Sequence, residues 1–177
     1  MNCLRNVGSK RELVLIQGTS GTGKTALAST LRKYIRRAKG LYVKGKFDLN
    51  LRDQPYAGIA SCCREICGEL LELQKVQQGE TSESRSFDEI KKKILAELAA
   101  EIYLLTKVIP DLREVIGDEN IKREESHPSH QEAKARFNYA FRKFICIISS
   151  FFAPLVMVLD DLQWADMASL ELLEVLI

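Results

Sequence analysis

Two kinds of apolar pattern alternate along this chain. "ELVLIQ" (12–17) is a short continuous apolar run that ends at once in a glycine-rich turn. Such a run predicts a strand buried on both faces, as in a parallel sheet. The next stretch, "KTALASTLRKYIRRAKG", sets Leu27, Leu31 and Ile35 on one face at a period of four, and Gly40 is a natural stop. "LYVKGKF" (41–47) then alternates and reads as a second strand, so these residues together predict a βαβ unit.

Helical periodicity dominates the middle of the chain. A helix starting near Pro55 would turn Ile59, Cys63, Ile66, Leu70 and Leu73 inward. The polar stretch "QQGETSESRS" reads as a loop, and Ser86 with Glu89 forms a capping box before a long helix. The stripe of that helix is Ile90, Ile94, Leu98, Ile102 and Leu105, and Pro110 ends it. A charged loop, "DENIKREESHPSHQ", precedes a helix with Phe137, Phe141, Phe144 and Ile148 inward. Pro154 breaks that helix before a strand, "LVMVLDD", and Asp166 is placed to cap a final helix.

Composition narrows the class without naming a partner. An apolar fraction of 46% and a charged fraction of 28% over 177 residues are those of one globular domain. The net charge of +2 argues neither for nor against a nucleic-acid partner. Arg32, Lys33, Arg36 and Arg37 read as a solvated helix face rather than a DNA footprint. Cys3, Cys62, Cys63, Cys67 and Cys146 have no paired spacing, which fits a reducing compartment, and Cys62, Cys63 and Cys67, on one helix, read as buried thiols rather than metal ligands. His127 and His130 lie in a polar loop. There is no secretory signal, and "FICIISSFFAPLVMVL" is interrupted by two serines and a proline, so the expectation is a soluble cytoplasmic protein without a membrane span.

The chemistry begins with "GTSGTGKT", residues 18–25, which matches G-x-x-x-x-G-K-[ST] without a mismatch. Gly18, Gly21 and Gly23 permit sharp backbone turns that aim successive N–H groups at one anion. The helix that follows adds the positive end of its dipole at the same place. Gly18, Thr19, Ser20, Gly21, Thr22, Gly23, Lys24 and Thr25 are therefore the candidate phosphate cradle. Lys24 brings a full charge to the β- and γ-phosphates, and the Thr25 hydroxyl is a candidate ligand for Mg²⁺. ATP and Mg²⁺ are the expected ligands.

Such a loop needs a second strand that carries a carboxylate to the metal, and "LVMVLDD" supplies one. Asp160 ends the apolar run as the candidate Mg²⁺ ligand. Asp161 is either the base that polarises the attacking water, with Lys24 as its catalytic companion, or a cap or ion-pair partner at a strand end.

At this point the chain resembles a known family. "LVMVLDDLQWADMASLELLEVLI" is similar to the Walker B region of STAND-class signalling ATPases, AAA-like modules related to origin-recognition-like AAA domains. "GKFDLNLRDQPYAGIASCCREI" and "VIPDLREVIG" resemble the variant fused to multi-sensor serine/threonine or histidine kinases. The resemblance runs from Glu12 to Ile177 and implies an α/β fold, a three-layer αβα P-loop NTPase with a parallel sheet. It implies a Walker A segment at 18–25 and a Walker B segment at 155–161. It also implies an ATP-driven switch in signal transduction, attached to signalling domains such as a kinase and able to oligomerise through the ATPase module. Trp164 and Asp166 belong to the family's "QWAD" stretch, expected to position the following helix. A "GRE"-type segment near the adenine is not found in "MNCLRNVGSKRE". The sensor strand, the arginine-bearing segment and the winged-helix lid would follow Ile177, so the expectation is a C-terminally truncated domain, poorly stable as an isolated ATPase. Two other readings stand beside the hydrolysing switch: a nucleotide-binding scaffold without turnover, and an origin-recognition-like ATPase associated with DNA.

Overall fold

The computed structural model describes residues 11–51, 53–77, 87–121 and 129–176. The chain divides into two compact units, one formed by Met1–Cys62 with Phe152–Ile177 and the other by Cys63–Phe151.

The first unit carries the sheet. Helix α1 (Lys24–Arg37) leads to strand β1 (Leu41–Lys46), and β2 (Leu155–Asp160) leads to helix α7 (Met167–Leu176). The two strands pair in parallel, Leu41 opposite Leu155 through Lys46 opposite Asp160. Two parallel strands cannot be joined by a tight turn. Here the crossover is long: everything from α2 (Ala57–Gln77) to α6 (His130–Phe151) lies between them in sequence. Leu41, Val43, Phe47, Ile59, Cys62, Phe152 and Leu172 are buried in this unit. A Cβ on Gly45 would meet the Gly58 carbonyl oxygen and, at 2.8 Å, the Cys62 Sγ, so glycine lets the start of α2 approach the strand.

Two expectations fail in this unit. Residues 12–17 form no strand: they have no ladder partner among the described residues, and Leu13, Val14 and Leu15 are more than half exposed. A lone extended segment leaves its own N–H and C=O groups unpaired, so apolar character alone does not make it a strand. The expected βαβ unit is accordingly reduced to α1 and β1. In α1 the buried positions are Ala28 and Ile35, whereas Leu27 is 60% and Leu31 39% exposed. Spacing identified an apolar stripe there, but only its edge at Ile35 is packed.

The second unit is helical. It contains the rest of α2, then α3 (Phe87–Leu98), α4 (Ile102–Val108), α5 (Leu112–Ile116) and α6. Ile66, Leu70, Ile90, Ile94, Leu98, Ile102, Leu105, Phe141, Phe144 and Ile148 are fully buried, as their periodicity predicts. Phe137 and Phe141 pack as a tilted pair with ring centroids 6.0 Å apart.

The single long helix expected from Ile90 to Leu105 is two helices. The Glu101 N–H turns back to the Leu98 carbonyl at 2.9 Å, and α4 starts immediately after. A spacing of four drifts about 40° per step on a 3.6-residue helix, so a straight rod would carry Ile102 well off the stripe begun by Ile90. The turn at 99–101 resets the phase and keeps both residues buried. The Ser86 capping box and His127 lie outside the described residues, as does the side chain of His130. Part of the expected charged loop is a 3₁₀ turn, Asp118–Asn120.

Candidate functional site

The glycine-rich loop takes the conformation its composition demands. Gly21 and Gly23 have φ of 80° and 84°, the left-handed region that side chains avoid. Gly23 is also the residue before α1 and offers no side-chain cap to the helix. The first N–H groups of α1 are thus left for an outside acceptor. Lys24 folds back over the loop, its Nζ donating to the Gly18 carbonyl at 2.9 Å and the Thr19 carbonyl at 2.8 Å. The Thr22 hydroxyl donates to the same Thr19 carbonyl at 2.8 Å. Carbonyl oxygens therefore hold the ammonium that the sequence pattern assigns to phosphate oxygens.

The loop and β2 converge. The Thr25 hydroxyl donates to Asp160 Oδ2 at 2.8 Å, across 135 residues of sequence. The Asp161 N–H donates to Asp160 Oδ1 at 3.1 Å. Partial burial works to raise the Asp160 pKa, but the hydrogen bonds from Thr25, Lys44 and the Asp161 backbone, with the Lys44 charge, outweigh it and hold this carboxyl below its usual range. Two hard oxygen donors, one hydroxyl and one carboxylate, lie side by side. That donor set fits Mg²⁺, which takes one or two protein oxygens and completes its shell with phosphate and water. Thr25 and Asp160 are the residues that would hold it.

Asp161 sits in the left-handed region at φ 56°, just past the strand end. Its carboxylate accepts from Gln163 Nε2 at 3.1 Å and pairs with Lys46 Nζ at 3.3 Å. Asp166 is the N-cap of α7: Oδ1 accepts the Ser169 N–H at 2.8 Å and Oδ2 its hydroxyl at 2.6 Å. Asp166 Oδ2 also accepts the Tyr56 N–H at 3.2 Å, which ties the chain ahead of α2 to the cap. Lys44 was not singled out from sequence, yet its Nζ lies 3.4 Å from Asp160 Oδ2. The signal was available: Lys44 and Lys46 are two apart in a strand, hence on one face.

The whole chain, residues 1–177, matches the family model described as AAA ATPase domain. The chain belongs to the AAA ATPase domain family. That places it among P-loop αβα ATPases, and the parallel pairing of β1 with β2 agrees. A hybrid signal transduction histidine kinase G of Dictyostelium discoideum is 30% identical over 166 residues, which is 94% of this AAA domain. The aligned part is 4% of the length of that relative. No solved structure matches. Among the described residues of the AAA domain, no helix is long and apolar enough to cross a membrane.

Proposed function

We propose that this chain binds ATP with Mg²⁺ and hydrolyses it as a switch module of a signalling protein. The observation that carries the reading is the hydrogen bond from Thr25 to Asp160. It joins the phosphate loop to the end of a parallel strand, as a magnesium-bridged nucleotide site requires. Gly18 to Thr25 form the Walker A cradle and 155–161 the Walker B strand. In the bound state, the N–H groups opening α1 and the Lys24 ammonium hold the phosphates, and Lys24 gives up the Gly18 and Thr19 carbonyls to do so. Mg²⁺, which Thr25 and Asp160 would hold, would supply positive charge to the phosphates. Asp161 accepts the proton of the water that attacks the γ-phosphorus, and ADP leaves.

The finer family assignment belongs to the same proposal. A STAND-class module within a three-layer sheet, attached to a kinase or other signalling domains and able to oligomerise, is supported by the kinase relative and by the "QWAD" cap at Asp166. A scaffold that binds nucleotide without turnover is the second reading. It is favoured by the engagement of Asp161 with Lys46 and Gln163, which occupies the carboxylate needed as base.

Calorimetric titration with ATP and Mg²⁺ tests the binding. Lys24→Ala is expected to weaken it roughly a hundredfold, the loss of a charged hydrogen-bonding partner worth about 3 kcal/mol. Asp161→Ala separates the two readings. It keeps ATP bound and slows phosphate release about a hundredfold or more if Asp161 is the base. Unchanged turnover in that variant removes the catalytic assignment, and undetectable turnover in the unsubstituted chain with intact binding favours the scaffold.

A further inference from the structure

We propose that Lys44 is a built-in counter-ion of Asp160 which Mg²⁺ must displace, so that lysine and metal are alternative partners of one carboxylate. The inference rests on the nucleotide-binding reading above.

The parallel register sets Lys46 opposite Asp160 and Lys44 opposite Val158. Side chains two apart share a face of the strand, so both ammonium groups stand on the face that carries the Asp160 carboxylate. They divide the work. Lys46 pairs with Asp161 at 3.3 Å, while Lys44 reaches Asp160 Oδ2 at 3.4 Å. Oδ2 is the oxygen that also receives the Thr25 hydroxyl at 2.8 Å, and Oδ1 receives the Asp161 N–H. Asp160 thus has three donors close by, one of which, Lys44, carries a full positive charge.

A divalent ion held by Thr25 and Asp160 would approach that same Oδ2 edge, directly or through a water of its shell. Two cations crowded on one oxygen repel each other, so binding of the ion has to include departure of the ammonium. Lys44 is built to leave. Its side chain is 33% exposed, and its flexible stem holds a point charge rather than a fixed fork. Arginine would lock such a contact by bidentate pairing; lysine makes it exchangeable. The arrangement keeps the strand end neutralised between nucleotide cycles and lowers the affinity of the site for the ion.

Mn²⁺ is the probe, followed by the resonance of the free ion, with the intact chain and saturating ADP so that no turnover enters the measurement. Lys44→Met is expected to tighten Mn²⁺ binding about five- to tenfold, the low end of typical coupling because the pair is partly exposed. Lys44→Arg keeps the charge and adds bidentate pairing, so it is expected to bind Mn²⁺ no more tightly than the unsubstituted chain, and tightening equal to that of Lys44→Met would overturn the proposal. Lys46→Met removes an equal charge from Asp161 rather than Asp160 and should move the affinity by less than about twofold, as screening of an exposed charge implies. Equal affinity for Lys44→Met and the unsubstituted chain overturns the proposal. So does equal tightening by Lys46→Met, which would make the effect one of general field. The Mn²⁺ comparison is repeated without ADP, so the lysine is tested even if ADP fails to bind; that failure would instead remove the nucleotide reading.

Discussion

The two units of this chain treat their apolar residues in opposite ways. In the helical unit, Cys63–Phe151, every residue of the predicted stripes from Ile90 to Leu105 and from Phe137 to Ile148 is buried. In the unit that carries the site, Leu13, Val14, Leu15, Leu27, Leu31 and Met167 are exposed while Ile35, Val43 and Phe47 are buried. The sheet-bearing unit buries part of its apolar surface and leaves the rest facing water. The proposed chemistry is concentrated in the open unit: the glycine-rich loop, Asp160, Asp161 and both strand lysines all belong to it. The proposed binding residues and the well-packed core are thus separated along the chain, and stability and function should respond to different substitutions.

The largest test of that separation is Phe144→Ala. Phe144 is fully buried on α6, so truncation leaves a cavity and costs about 3–5 kcal/mol. Urea unfolding followed by far-ultraviolet circular dichroism reads the loss. A cost below about 1 kcal/mol would mean that the helical core is loosely packed, and the contrast between the units would fall.

Legibility in the sequence follows the same division. Helical stripes could be read because burial repeats every turn within one segment, so Ile90, Ile94, Phe141 and Phe144 identify themselves locally. The loop 18–25 was legible for another reason, since glycine positions and the lysine–threonine pair are tied to backbone geometry over eight residues. What could not be read depends on partners distant in sequence. Whether 12–17 becomes a strand is decided by a ladder partner, and whether Leu27 is buried by what packs on α1. The break at 99–101 was hidden because a drifting period of four looks continuous in one dimension. Lys44 was missed because its meaning lies in register with β2, more than a hundred residues away.

A second test exploits pH and concerns the helical unit. Burial first, then the nearby charges of Asp111 and Glu114, push the Cys67 thiol up from 9.0 to about 12. The folded chain keeps this proton where the unfolded chain has lost it. Its contribution is therefore complete below about pH 9 and declines as the pH rises toward about 12. At about pH 10.5 the decline is about 2 kcal/mol, taking 1.36 kcal/mol per unit. Cys67→Ala carries its cavity cost at both pH values, so only the alkaline decline changes. Unfolding free energies from urea titrations at about pH 8 and 10.5 should lie closer together in the variant by that amount. An unchanged gap between the two would mean that the thiol is reached by water.

The smallest expected effect is the sharpest check on the open face. Leu27 is 60% exposed on α1 although its spacing marks it as a core position, and Ile35 on the same helix is 1% exposed. Leucine and glutamine have nearly equal helix propensities, so Leu27→Gln changes little besides apolar area. In an exposed position it should alter stability by less than about 0.5 kcal/mol, whereas Ile35→Ala should cost about 2–5 kcal/mol. The pair is measured by urea unfolding at two protein concentrations tenfold apart. If Leu27→Gln is costly only at the higher concentration, copies of the chain cover the stripe in solution, because stabilisation by association grows with concentration. If it is costly at both, Leu27 is packed within the chain and the two units no longer differ as described. A negligible cost at both leaves α1 with one packed edge and one wet one, and the site at its N-terminus carried by a helix held from one side.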